Sequence, residues 1–131
     1  MSGRKLAAFL NARHIPGVRF LPESFVPSAG NRYDGQRCDG IRMLVSDRLA
    51  LDSPQLGVEI ASALWKLYPR DFTLQAIDPT KLDQATLTSI EAGIDARRIA
   101  AGWKHDTASF AMRRARYLFY ERASGTNKPP P

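Results

Sequence analysis

Residues 17–48 read GVRFLPESFVPSAGNRYDGQRCDGIRMLVSDR, and this stretch decides the fold. Hydrophobic residues alternate with polar or chain-breaking ones from Val18 to Phe25, and the same alternation returns from Ile41 to Val45. Each run is long enough for one short strand, and the segment between them is rich in turn-forming residues. We therefore expect two paired strands in a small, mostly antiparallel sheet.

The connection between these strands is a candidate binding site. Pro22 and Pro27 confine the chain before it, and three glycines give it permissive backbone positions. Connections of this length inside a compact domain are usually functional or disordered, and the aromatic residue and the cysteine within it favour order. The sequence predicts an ordered loop whose candidate substrate-binding residues are Arg32, Tyr33, Arg37 and Cys38.

Helical patterns flank the predicted sheet. Residues 4–13 place apolar side chains on one face, and a firmer pattern runs from Ser53 to Tyr68, with Asp52 or Ser53 as its N-cap and Pro54 in its first turn. A short alternating run near Phe72, over residues 72–76, predicts a third strand. The spacing of Leu56, Ile60, Leu64 and Leu67 marks the buried side of the 53–68 helix, so that Glu59 beside it is expected to be solvated.

Two further helices are predicted downstream. Asp83 can cap a short one that ends at Gly93, where a left-handed C-cap suits the glycine, and Asp95 can cap a last helix that runs to Arg116. Together the patterns indicate a single α+β domain at residues 1–122, with a small sheet covered by three to four helices. Residues 123–131 have nothing to bury and are predicted to be a disordered tail.

Composition limits the class of protein further. The chain has 131 residues, of which 44% are hydrophobic, enough for one buried core. The single cysteine cannot form an internal disulfide or a Cys/His metal framework. No apolar run approaches the roughly 20 residues of a membrane span, and residues 1–9 lack the hydrophobic stretch of a secretion signal. We expect a soluble chain with no membrane partner.

The net charge of +6, from 19 basic and 13 acidic residues, favours acidic partners and raises an alternative function. A small basic module could bind nucleic acid or another anionic polymer through its arginines at 97, 98, 113, 114 and 116. The last three, however, also complement the negative end of a helix macrodipole. No RNA-recognition, helix-turn-helix or zinc-finger pattern accompanies them, so we expect nucleic acid not to be the partner.

Catalytic motifs are weak. The two histidines lie far apart, and no nucleophile elbow, P-loop or dinucleotide fingerprint occurs, so neither a metal nor a cofactor is expected. Carboxylates that could act as acids or bases carry no pairing that marks glycoside hydrolysis. These carboxylates are Glu23, Asp34, Asp39, Asp47 and Glu59.

Three blocks occur in the order found in one bacterial family: the stretch 17–48, then ALWKLYPRDF (63–72), then IEAGIDARRIAAGWKHDTASFAMRRARYLFY (90–120). Over residues 3–120 the chain resembles the C-terminal portion of the NamZ-type exo-β-N-acetylmuramidases, formerly a domain of unknown function. The resemblance implies a cell-wall recycling glycosidase family that removes N-acetylmuramic acid from peptidoglycan fragments, and whose bacterial members are often exported to the periplasm or secreted.

The resemblance also implies a partner. Complete family members carry a larger Rossmann-like domain ahead of the matched region, and the catalytic carboxylates are implied to lie there. This chain is therefore expected to be inactive alone and to line the substrate cleft, with Tyr33 stacking on a sugar and Arg32 or Arg37 meeting a carboxylate. The face that meets the larger domain would be exposed and apolar, which favours a partner chain or a homodimer.

Overall fold

A computed structural model of the chain describes residues 1–30, 33–77 and 82–117. Within those residues a two-stranded antiparallel sheet is accompanied by four α-helices and one 3₁₀ turn, which confirms the predicted α+β class. No helix in the described part of the chain is both long and apolar enough to cross a membrane. The elements are α1 (Gly3–Ala12), β1 (Val18–Phe25), β2 (Cys38–Val45), α2 (Ser53–Leu67), α3 (Gln84–Glu91) and α4 (Ala96–Tyr117), with the 3₁₀ turn at Leu74–Ala76.

Contacts divide the chain into two compact units, Met1–Ala101 and Gly102–Pro131. The first unit holds the hairpin, the first three helices and the first turns of α4. In the second unit the structure describes the continuation of α4 to Tyr117. The predicted domain limit at residue 122 and the predicted tail at 123–131 lie outside the described residues, and both stay predictions.

Helix α1 covers one face of the hairpin. Ser2 caps it by accepting a hydrogen bond from the backbone N–H of Lys5, and its apolar face buries Leu6 and Leu10, as the sequence pattern predicts. Phe20 of β1 is fully buried against this face. The core of the unit consists of Leu6, Ala7, Leu10, Ile15, Val18, Phe20, Ala63 and Tyr68.

The β1–β2 hairpin confirms the predicted strand pair. Val18 lies opposite Val45 at its open end, and Phe25 lies opposite Cys38 at its loop end. Pro22 is tolerated inside β1 because both strands of a two-stranded sheet are edge strands. The free edge of β1 is partly covered: the Asn11 side-chain amide donates to the Phe20 carbonyl at 2.8 Å and accepts from the Phe20 N–H at 3.0 Å.

Helix α2 begins where the sequence predicts. The Asp52 carboxylate accepts from the Gln55 N–H at 3.1 Å, and Pro54 occupies the first turn. The predicted apolar stripe packs against the core. A second side of the helix is buried too; it includes Val58 and Glu59, and Arg13 pairs with Glu59 there. The expectation that Glu59 is solvated is therefore wrong.

The third predicted strand, over residues 72–76, is also wrong. Leu74–Ala76 form a 3₁₀ turn, and the sheet of the described residues has two strands. The segment follows directly on α2, whose end carbonyl at Tyr68 accepts from the backbone N–H of Phe72. Phe72 packs on the core and Leu74 is fully buried. The alternating pattern therefore arises from the burial of these two side chains and not from strand pairing. A strand there would need a neighbour to pair its backbone groups.

Helices α3 and α4 are joined by the cap that the sequence indicates. Asp83 caps α3 by accepting from the Thr86 N–H at 2.7 Å. Gly93 takes φ +74°, and the N–H of Ile94 donates to the carbonyl of Ser89 at 3.0 Å, as in a Schellman motif. Asp95 then accepts from the Arg97 N–H at 3.0 Å and so caps α4. The predicted limits of these helices hold to within a residue or two.

Candidate functional site

A shallow depression of about 430 Å³ lies at the loop end of the hairpin. It is lined by Met1, Tyr33, Arg37, Cys38 and Asp39. Three of the four residues that the sequence singles out therefore meet in one place. Arg32 lies outside the described residues.

A tight turn shapes one wall of the depression. The backbone N–H of Gln36 donates to the carbonyl of Tyr33 at 3.1 Å, and Gly35 inside this turn takes φ +68°, a conformation that favours glycine. The turn reverses the chain directly before Arg37 and brings it back beside Tyr33. Tyr33 is half exposed, so its ring presents a face to solvent.

Cys38 differs from its predicted place in the loop. It is the first residue of β2, opposite Phe25, because the pairing of the strands extends further toward the loop than the sequence pattern indicates. Its thiol sulfur lies 3.6 Å from the carbonyl oxygen of Gln36, and the side chain is partly buried. These contacts are those of a packed thiol at the edge of the depression.

Two lining residues escape sequence reasoning. Met1 reaches the depression because α1 packs on the hairpin, and no local sequence pattern predicts that contact. Asp39 follows Cys38 in β2, and its carboxylate accepts a hydrogen bond from the Ser24 hydroxyl at 2.6 Å. The strand pairing that places Ser24 opposite Asp39 could have suggested this contact.

The chemistry of the depression suits binding. It offers an aromatic face and a guanidinium, the groups that stack on sugar rings and pair with carboxylates. Among the described residues, no group of three or more histidine, cysteine or acidic side chains is placed to hold a metal ion.

A second cavity, also of about 430 Å³, lies between α1, α2 and the α3–α4 turn. Its wall includes the Arg13–Glu59 pair, in which Arg13 Nε donates to Glu59 Oε2 at 2.8 Å and Nη2 donates to Oε1 at 3.0 Å. Glu59 is only 2% exposed. The other lining residues are Phe9, Ser62, Trp65, Lys66, Pro69, Ile90, Glu91, Gly93, Ile94, Asp95 and Ala96.

Asp95 and Arg97 extend this ion pair into a network. Arg13 Nη2 lies 2.9 Å from one Asp95 carboxylate oxygen, and Arg97 lies 3.9 Å from Glu59 and donates to the Arg13 carbonyl. Burial raises the pKa of Asp95, but the Arg97 N–H and the Arg13 guanidinium outweigh it, so that its pKa lies below the ordinary value. The network joins the end of α1, the middle of α2 and the start of α4, and it is structural in character.

Most carboxylates that the sequence offers for acid–base work have structural partners. Glu23 is paired with Arg42, whose guanidinium lowers the pKa of Glu23 through a hydrogen bond. Asp47 accepts from the backbone N–H groups of Leu49 and Ala50, which closes the turn after β2. Asp39 and Glu59 also have structural partners, so four of the five candidate carboxylates form contacts that stabilise the fold.

Comparison with known proteins identifies the family of the chain. The profile described as exo-beta-N-acetylmuramidase NamZ, C-terminal, matches residues 1–120. The chain belongs to the NamZ C-terminal family. That family is one of bacterial cell-wall-degrading glycoside hydrolases, named for N-acetylmuramic acid, and the resemblance drawn from the three sequence blocks is confirmed.

Two relatives define what this NamZ C-terminal domain matches. The peptidoglycan beta-N-acetylmuramidase NamZ of Bacillus subtilis (strain 168) is 29% identical over 119 residues, which cover 88% of this chain and 28% of that protein. The crystal structure of a DUF1343 family protein from Bacteroides fragilis matches with a TM-score of 0.64 at 19% identity, over 92% of this chain and 33% of that one. The chain thus spans about a third of the length of these relatives.

Proposed function

We propose that this chain is the accessory, substrate-cleft domain of a peptidoglycan-degrading exo-β-N-acetylmuramidase. The observation that carries the proposal is the family match over residues 1–120, together with the relative from Bacillus subtilis that is named for this activity. The domain works with a larger catalytic domain or subunit, which corresponds to the remainder of the longer relatives. Its substrates are peptidoglycan fragments that end in N-acetylmuramic acid.

The depression at the hairpin loop supports this role. A Tyr33 ring that is half exposed can stack on a pyranose, and the Arg37 guanidinium can form charge-assisted hydrogen bonds with a lactyl or peptide carboxylate. Cys38 would add a packed thiol at the edge of the site. The Asp39 carboxylate accepts a hydrogen bond from the neutral Ser24 hydroxyl, which orients the carboxylate and leaves its negative charge in place.

Catalysis is assigned to the partner. Retaining and inverting glycosidases need two carboxyl groups at defined separations across the scissile bond. Glu23, Asp39, Asp47 and Glu59 are each engaged by a structural partner within the chain. Because the chain matches only the C-terminal part of the family, it is expected not to hydrolyse a glycoside by itself.

The test is an assay of the purified chain on a chromogenic N-acetylmuramic acid glycoside. The chain is assayed alone and mixed with the N-terminal portion of the Bacillus subtilis relative, and free N-acetylmuramic acid is titrated into the ¹⁵N-labelled chain by NMR. The expected result is hydrolysis in the mixture above that of the N-terminal portion alone, with shifts at Tyr33 and Arg37. Tyr33→Ala and Arg37→Ala should both weaken sugar binding.

Arg48→Ala is the matched control, because Arg48 is exposed near the opposite end of the hairpin and lies outside the depression. It should leave the sugar-induced shifts unchanged. Turnover by the chain alone would overturn the assignment of catalysis to the partner. Absence of hydrolysis in every sample, together with absence of any sugar-induced NMR shift, would overturn the proposed role in the substrate cleft.

A further inference from the structure

The outer face of the hairpin carries more apolar surface than a solvated face requires. Because side chains alternate along a strand, the residues next to Val18 and Phe20 in β1 point away from α1. Leu21 and Phe25 on this face are 46% and 50% exposed, and Leu44 of β2 is 45% exposed. Sheets with one solvated face usually carry polar residues there.

The register groups these residues into a patch. Leu21 lies opposite Arg42 and Leu44 lies opposite Arg19, so the two leucines are diagonal neighbours across the strands. Phe25 follows four residues after Leu21, about 13 Å along the strand. We call Leu21, Phe25 and Leu44 the outer patch.

The charges on this face are largely neutralised within it. Glu23 and Arg42 form the other diagonal pair and hydrogen-bond to each other, which leaves Arg19 as the added positive charge of the face. Because Glu23 and Arg42 are hydrogen-bonded to each other, a partner can cover this face and neither charge is left without a partner. The face therefore suits a partner that offers apolar side chains and a carboxylate near Arg19.

The N-terminal end of the domain is held at the loop end of the hairpin. The Tyr68 hydroxyl accepts from the Ser2 N–H at 3.1 Å and donates to the Ser2 carbonyl at 2.7 Å. Gly3 lies so close to the hairpin that a side chain on it would collide with the Gly40 carbonyl oxygen. Met1 lines the same depression as Cys38, the cross-strand partner of Phe25.

The relatives supply the occupant. The matched region is the C-terminal part of its family and covers 28% and 33% of the two relatives, so a larger part precedes it in them. With the same fold, that part joins the domain at the loop end of the hairpin, next to Phe25. A tethered neighbour is present at a high effective concentration and can rest on an interface of modest size and mixed polarity.

We propose that the outer patch is the surface on which the larger N-terminal part of these relatives docks. This inference rests on the proposed function, since it names the face that receives the catalytic partner. The depression at the loop end of the same hairpin then adjoins the interface, and the substrate cleft opens beside it. The partner contributes apolar side chains over Leu21 and Leu44.

The test uses the full chain with its leucine methyl groups labelled with ¹³C. The N-terminal portion of the Bacillus subtilis relative is titrated in to about 100 µM, a range that detects weak association. Leu21 and Leu44 methyl signals should shift, and Leu21→Ser with Leu44→Ser should weaken association by at least about tenfold. Leu49→Ser is the matched control, because Leu49 is 99% exposed and lies outside the patch.

The outcomes separate this inference from the proposed function. Hydrolysis by the mixture that the double variant leaves unchanged, with association unchanged too, would overturn the docking surface while the cleft role stands. Absence of association by the unmodified chain would overturn the assigned occupant. A dimer of the chain alone that the double variant dissociates, measured by light scattering, would replace that occupant with a second copy.

Discussion

Arg13 grips the buried carboxylate of Glu59 with two hydrogen bonds, of 2.8 and 3.0 Å, and thereby joins the end of α1 to the middle of α2. Arg97 lies 3.9 Å from the same carboxylate. Charge-assisted pairs with two parallel bonds are among the strongest polar contacts in proteins. Because Glu59 is nearly inaccessible to water, the pair matters most through what its loss would leave behind.

Arg13→Met should be strongly destabilising. It leaves the Glu59 charge buried with only the more distant Arg97 as a partner, so we expect a loss of about 2–4 kcal/mol in the free energy of unfolding. Urea unfolding followed by circular dichroism measures it. Arg42→Met is the control, since it breaks an exposed pair of the same chemistry and should cost clearly less. Equal losses in the two variants would contradict the structural role of Glu59.

Acid should remove the contribution of Asp95. The pKa of Asp95 is lowered in the folded chain from its ordinary value of 3.8, so its ionised form stabilises the fold above that value. The contribution is complete near neutral pH and is lost as the pH falls through the folded pKa. Asp95→Asn should therefore lower the melting temperature at pH 7, and the difference from the unmodified chain should shrink below about pH 4. A difference independent of pH would argue against this linkage.

Two glycine substitutions should act in opposite directions. Gly3→Ala would force a methyl group onto the Gly40 carbonyl oxygen, and separation of α1 from the hairpin should cost about 1–3 kcal/mol. Gly57→Ala lies in the interior of α2 with open space around it, and should stabilise the chain by about 0.5–1 kcal/mol. Thermal unfolding of both variants measures the signs. Stabilisation by Gly3→Ala would refute the close approach.

Asn11→Ala should weaken the edge of β1. The substitution removes both partners of the Phe20 backbone, and we expect a loss of about 1–2 kcal/mol. Hydrogen exchange of the Phe20 amide should speed up at the same time. Lys5→Ala, at an exposed site on the same helix, is the control and should change neither quantity much. Unaltered exchange at Phe20 in the Asn11 variant would show that the side chain does not protect this edge.

Local chemistry explains the features that the sequence predicts well. Asp52, Asp83 and Asp95 cap helices because a short side-chain oxygen reaches backbone N–H groups two or three residues ahead. Gly93 ends α3 because few other residues adopt a positive φ without strain. Such signals act over a few residues, and they can therefore be read without the rest of the chain.

The errors arise where distant segments decide. The alternation at residues 72–76 is typical of a strand, yet the segment folds back from Tyr68, and in the part of the chain that the structure describes it pairs with no strand. The pattern predicts Glu59 to be a solvated helix residue, whereas in the fold its side of α2 is buried and Arg13 pairs with its carboxylate. In the candidate site, Tyr33 and Arg37 follow from loop composition, whereas Met1 and Asp39 do not.

The sequence by itself determined the α+β class, the paired strands, the helix caps after residue 50, the loop that carries Tyr33 and Arg37, and the family. Tertiary structure alone decided that Glu59 is buried, that Met1 completes the depression and that Leu21 and Leu44 remain uncovered. Helix and turn signals depend on contacts within a few residues. Burial and ion pairing depend on elements far apart in the chain, and their positions are fixed only when the core packs.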